Sequence, residues 1–176
     1  MTDAAAATGE TAWLHTSKAD IKIVHSVTSK SGVYHFDLDQ RAEVLAYTSS
    51  RGLTRVCGPI TSSIVGPASA DLVISASASI VPTDVSHWPT NLSEVRADSF
   101  AKNFSVSALT PVPTVVLDFH PAINHQLKPR PFLGRHPAFL AGWSIQTTSS
   151  TVAVDIEVVV PLEFSGIDWI QPASWA

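Results

Sequence analysis

Between residues 71 and 81 the even positions are apolar, with Leu72, Ile74, Ala76, Ala78 and Ile80 alternating with Ser75, Ser77 and Ser79. The same period of two runs through residues 151–160, where Val152, Val154, Ile156, Val158 and Val160 oppose Asp155 and Glu157. Residues 33–39 set Tyr34, Phe36 and Leu38 against His35, Asp37 and Asp39, and His25 continues an apolar row of Ile21, Ile23 and Val27. Successive side chains of a strand point to opposite faces. This alternation therefore predicts strands with one face on a core and the other toward water or a partner.

Further strands are predicted over residues 21–28, 43–48, 54–65, 103–109, 114–120 and 138–146. Turn chemistry separates them at 29–32 (Ser-Lys-Ser-Gly), 49–52 (Ser-Ser-Arg-Gly), Gly66-Pro67, Pro111 to Pro113, and 147–150 (Thr-Thr-Ser-Ser). Gly58-Pro59 interrupts 54–65, so that stretch is expected to be broken, bulged or at a sheet edge, because proline cannot donate to a ladder. Only residues 91–98 read as a helix, capped by Asn91 or Ser93, with Glu94 three residues after Asn91.

Composition agrees with this reading. Val occurs 19 times, Ile 11 times and Thr 15 times in 176 residues, and β-branched side chains fit a pleated surface better than a helix. About nine short strands without an internal repeat predict an all-β protein of two antiparallel sheets packed face to face, a jelly roll or another sandwich. They exclude a repeat propeller. Leu72, Ile74, Ile80, Val106, Leu117, Val154, Ile156 and Val158 are the expected filling between the sheets. The domain expectation is a short N-terminal arm over residues 1–19 and a single domain over 20–176, a length that permits one real core. Two long connections, 82–101 and 121–137, hold most of the remaining Pro, His, Trp and basic residues, and long loops in a sandwich carry function or build interfaces.

Charge limits the partners. With 11 Lys and Arg against 15 Asp and Glu, the formal net charge is −4, so bulk attraction cannot be the main source of nucleic-acid affinity. The single cysteine, Cys57, excludes an internal disulfide framework and a multi-cysteine zinc site. It is expected as a small core residue, because no neighbour in sequence supplies the base a catalytic thiol needs. No apolar run is long enough for a membrane helix, and the Ala-rich acidic start lacks the pattern of a signal peptide, so no membrane partner is expected.

No enzyme signature is present: there is neither a Gly-x-Ser-x-Gly elbow nor a Gly-rich phosphate loop. The chain is expected not to be an enzyme. His120, His125 and His136 flank the proline-rich connection and raise the question of a metal, but the His-x-His pair of cupin-like sites is missing, and no metal is expected. The carboxylates Asp37 and Asp39, like Asp155 and Glu157, read as solvated faces. The densest basic group, Lys128, Arg130 and Arg135, is interleaved with His125, Phe132 and His136. It is read either as a clamp for single-stranded nucleic acid or as a rim of subunit salt bridges. Trp88, Trp169, Ile170 and Trp175 lie beside prolines or in the tail, and so many large rings outside the strands point to contacts between copies of the chain.

The order of these features resembles the coat proteins of tymovirus-like viruses. The resemblance rests on the strand of residues 71–81 ending in Val81-Pro82, the His87-Trp88-Pro89-Thr90 excursion, the strand after Lys102, and Pro-Val-Pro-Thr-Val-Val-Leu-Asp-Phe at 111–119. Lys-Pro-Arg-Pro at 128–131, Pro-Ala-Phe-Leu-Ala-Gly-Trp-Ser-Ile at 137–145 and the last strand follow in order. The likeness spans roughly the C-terminal 110 residues and departs from the family in a short N-terminus and in the histidines of the 121–137 loop.

The resemblance implies an eight-stranded jelly roll of viral capsid type, with short helical turns in its long loops. It implies self-assembly into a T=3 icosahedral shell, a virion component assembled in host cytoplasm, around single-stranded RNA held weakly and without sequence preference. It also implies no cofactor, with polyamines or other small cations neutralising the packaged RNA. On that reading Lys18, Lys22, Lys128, Arg130 and Arg135 are the RNA-contact candidates, while Trp88, Trp169, Ile170, Trp175, His125 and His136 are the subunit-interface candidates. The alternative is a non-enzymatic β-sandwich module that binds carbohydrate or protein through Trp88, Trp143 or Trp169.

Overall fold

The computed structural model describes residues 11–48, 53–66, 71–107, 113–128 and 135–170, with side chains described for all of these except 11–16, 47–48, 128 and 165–170. Among the described residues ten strands form two antiparallel sheets. In the first, β1 (Thr11–Val27) pairs along its whole length with β10 (Val154–Ile170). The other side of β10 is shared by β4 (Ile60–Val65), which leads to β7 (Thr114–Leu117), and β3 (Leu53–Val56), which leads to β8 (Gln126–Lys128). The second sheet runs β2 (Ser31–Asp37), β9 (Pro137–Gln146), β5 (Val73–Pro82), β6 (Lys102–Val106).

The inward faces meet as expected. Leu72, Ile74, Ile80, Val106, Leu117, Val154, Ile156 and Val158 are all buried in one core together with Ile23, Ile60, Ile64, Phe139 and Leu162. Burying each such aliphatic side chain contributes about 1.5–3 kcal/mol relative to exposure, and this drives the two sheets together.

The interruption at Gly58-Pro59 is real, and it separates β3 from β4 opposite the middle of β10. The break faces Pro161. The Cys57 N–H donates to the Pro161 carbonyl at 3.0 Å, and a Cβ on Gly58 would meet Pro161 Cγ at 3.4 Å. A proline inside a central strand removes a donor, and here the partner strand is itself broken at that level. The last strand was expected to end at Val160; instead it passes through Pro161 and continues to Ile170.

Four further expectations need correction. Residues 43–48 are not a strand: Ala42–Thr48 is a short helix, α1, following a 3-10 turn over Leu38–Gln40. Helix α1 is anchored by Val44, which is fully buried, while Leu45 is largely exposed. Asp39 is not on a solvated face, because β2 ends at Asp37 and the turn carries Asp39 inward. Cys57 is exposed rather than in the core, because it continues the alternation of β3, in which Thr54 and Val56 point inward and Leu53 and Arg55 outward. Finally, Ser77 and Ser79 do not face water; both are fully buried.

What covers those serines is the first long connection. Helix α2 (Leu92–Arg96) is capped as its sequence predicts: Asn91 Oδ1 accepts the Glu94 N–H at 3.0 Å, and Glu94 reaches back to the Thr90 N–H at 3.0 Å. It lies on the outer face of the second sheet, where Val95 joins Val81, Ala138 and Leu140 in a second small core. Ser77 donates to the Lys102 carbonyl at 3.3 Å and Ser79 to the Asp98 carboxylate, so neither hydroxyl is left unpaired. Small residues along β5 and β9 let the helix approach, and these two central strands are buried on both faces over most of their length.

Candidate functional site

The basic candidates divide by their surroundings. Lys22 is exposed, and its ammonium sits 2.8 Å from the Glu157 carboxylate. Arg135 donates through Nε to Asp84 at 2.9 Å, joining the two long connections. Both are engaged within the chain, in pairs that belong neither to a nucleic-acid clamp nor to a contact between subunits. Lys128 closes β8 beside Thr54, while Arg130 lies outside the described residues.

Lys18 differs. It lies in β1, where residues 11–19 pair with β10, and no ion pair engages it among the described residues. Lys18, Glu163 and Arg55 are direct cross-strand neighbours on β1, β10 and β3, all on the outward face opposite Leu162 and Val56. Arg55 donates to Glu163 Oε2 at 2.6 Å from Nε, and its Nη2 is 2.6 Å from the same oxygen. This row, with Val56, Cys57, Gly58 and His125, lines a cavity of about 380 Å³ beside the strand break. Arg55 and Glu163 were missed by sequence reasoning. Arg55 had only its polar position in an alternating stretch to mark it, and Glu163 lay beyond the expected end of the last strand.

The interface candidates are placed as follows. Trp88 is half-buried: its ring stacks on the exposed His35 imidazole, with centroids 3.9 Å apart and planes 3° apart, and packs against the small core under α2. Its apolar surface is thus partly covered by its own chain. His125 is exposed at the cavity, edge-on to Phe119 with centroids 4.3 Å apart, and its carbonyl accepts the Val56 N–H at 2.8 Å. His136 is half-buried where β5 meets β9, its carbonyl accepting the Thr83 N–H at 2.9 Å. Trp169 and Ile170 end β10, with side chains outside the description, and Trp175 lies outside the described residues. Trp143 is buried and donates to the Ser29 carbonyl at 3.0 Å, so it presents no ring to a sugar.

His120, His125 and His136 do not converge, and among the described residues no group of three His, Cys, Asp or Glu side chains is placed to hold a metal ion. His120 instead accepts the Ala122 N–H on Nδ1 at 3.1 Å and meets Phe100 edge-on. Among the described residues no helix is long and apolar enough to cross a membrane. Large apolar side chains are exposed on the outer face of the first sheet: Val24, Leu53, Val65 and Val116, the last 49% accessible.

No family model matches the sequence, and no curated protein matches it either. Solved structures do. A chain of Desmodium yellow mottle tymovirus aligns with a TM-score of 0.67 at 13% identity, covering 92% of this chain and 91% of that one. Turnip yellow mosaic virus aligns at 0.63 and 14% identity over 91% of this chain and 99% of its own. Tobacco necrosis virus aligns at 0.59 and 11% identity over 90% and 97%. At such low identity the likeness defines architecture alone: with the strand order β2-β9-β5-β6 facing β1-β10 and its partners, the fold is an antiparallel jelly-roll sandwich like that of these virus chains.

Proposed function

We propose that this chain is a viral coat protein, a virion component whose copies assemble into a closed icosahedral shell around single-stranded RNA. The observation that carries the reading is the extent of the match. The match spans 91–92% of this chain and 91–99% of the two tymovirus chains. Exposed valines on the outer sheet face and the half-exposed Trp88 supply apolar surface for lateral contacts. Each contact need only bury about 1,200–2,000 Å², because closure multiplies many modest joints. The charge of −4 fits a shell whose RNA is neutralised mainly by polyamines or other small cations, with no cofactor and few direct protein contacts. T=3 geometry and assembly in host cytoplasm belong to the same proposal.

The full chain, expressed and purified, is expected to sediment as particles that appear as uniform shells by negative-stain electron microscopy. Nucleic acid should be extractable from them. A single monomeric species at every pH and salt concentration tried overturns the proposal.

A further inference from the structure

We infer that the cavity between β1, β10 and β3 is a seat for a phosphodiester group of single-stranded nucleic acid, held by Lys18, Arg55 and the His125 imidazole. The inference rests on the reading of this chain as a subunit that packages RNA. The floor of the cavity is fixed, because the Val56 and Cys57 N–H groups are committed to the His125 and Pro161 carbonyls at 2.8 and 3.0 Å. Its walls are polar and charged, and its volume of about 380 Å³ leaves ample room for one compact anion.

The charges do not cancel. Glu163 is the only acid among the lining residues, and a single one of its oxygens takes both contacts from Arg55. A guanidinium has five N–H donors, so Arg55 keeps donors beyond that pair. Lys18, with no ion pair among the described residues, adds an uncompensated ammonium one strand away. A rigid fork beside a mobile point charge is the donor set that suits a phosphate with several acceptor oxygens. The surroundings favour a polyanion over a lone anion. Gln126 pairs with Arg55 in the next strand, and that strand closes at Lys128, so a further basic position follows the site along the sheet.

The test measures binding of a short fluorescein-labelled oligouridylate to the full chain by anisotropy at low salt, with inorganic phosphate as competitor. Lys18→Ala is expected to weaken binding about 5-fold, and Glu163→Gln, which frees Arg55, to tighten it by a similar factor. Lys30→Ala makes the same charge change beyond the far end of β1 and is expected to leave affinity unchanged. Equal weakening by Lys18→Ala and Lys30→Ala overturns the seat, as does a Glu163→Gln chain that binds no more tightly. Displacement by inorganic phosphate at concentrations equal to the oligonucleotide assigns the cavity to a free anion and overturns the polynucleotide. Particle formation, followed by sedimentation of the same proteins, keeps the two readings apart. Shells with no variant effect sink the seat alone, and a wild-type chain that never forms shells sinks the coat-protein reading while the oligonucleotide data still judge the seat.

Discussion

The imidazole of His25 lies flat on the phenol ring of Tyr34, with centroids 3.6 Å apart and planes 4° apart. His25 belongs to β1 and Tyr34 to β2, the edge strands of the two sheets, so the stack closes one open side of the sandwich. Arg41 secures the phenol, donating from Nη1 to its hydroxyl at 2.6 Å, and binds Glu43 through Nε and Nη2 at 3.1 and 2.9 Å. On the opposite side, Lys102 of β6 pairs with Asp118, just after β7, at 3.0 Å. Both margins of the sandwich are thus tied by polar groups at its rim rather than by continuous pairing.

This placement predicts a pH dependence. Burial lowers the His25 pKa below 6.5; the Arg41 charge lowers it further, and Asp155 acts the other way. The folded chain therefore binds the imidazole proton less readily than the unfolded chain, which takes one up as pH falls through 6.5. Its stabilising contribution is complete above that value and is lost as pH falls toward the lower folded pKa. His25→Phe keeps a ring on Tyr34 and removes the titration. Denaturant midpoints measured from pH 7 down to pH 5 should fall less steeply for His25→Phe than for the parent; identical slopes would refute this role for His25.

Close packing of α2 gives a second prediction. A Cβ on Gly142 would lie 3.0 Å from Val95 Cγ2 and 3.1 Å from Leu92 Cα. The first neighbour is a fully buried side chain and the second is backbone, so neither yields cheaply. Gly142→Ala is expected to destabilise the chain by about 1–3 kcal/mol, read as a lowered denaturant midpoint. An unchanged midpoint would show that α2 can lift from β9 at no cost.

Much of this architecture is visible in the residues, and the part that is not has physical reasons. Long alternating runs such as residues 71–81 and 151–160 mark their own strands, because a half-buried pleat imposes period two on the sequence. The Asn91 cap and the Gly58-Pro59 break are equally local signals. Helix α1 escapes because two turns with Val44 as the one buried position among the described side chains leave no period for a six-residue window to reveal. The continuation of β10 past Pro161 is tolerated by a break on another strand, which only the pairing discloses. Ser77 and Ser79 read as a wet face because nothing in the 71–81 stretch reveals that α2 lies over it. The cavity is the least legible feature, since Lys18, Arg55 and Glu163 come from three distant segments joined by register alone.

Cys57 offers a direct check on that strand break. Its side chain is exposed although it lies between β3 and β4, each of which sets one face into the core. The subunit in dissociating buffer is expected to react with a thiol-specific reagent such as dithionitrobenzoate without denaturant, one equivalent per chain, at a rate unchanged by subdenaturing urea. Reaction only after unfolding would place the thiol in the core and contradict the local geometry.

The core itself holds an avoidable cost. Thr54 is fully buried on the inward face of β3, cross-strand from Phe164, and its hydroxyl has no hydrogen-bond partner among the described residues. Desolvating a hydroxyl without compensation costs about 1–3 kcal/mol, whereas a methyl group of nearly the same size removes that cost and adds apolar contact. Thr54→Val keeps the β-branched shape that suits a strand, so backbone preference is untouched. The substitution is expected to raise stability by about 1 kcal/mol, and a chain of this size should melt roughly 2–4 °C higher. If Thr54→Val instead lowers the midpoint, the hydroxyl is satisfied by a buried water bridging to neighbouring backbone, and β3 is held by a polar link rather than by packing alone.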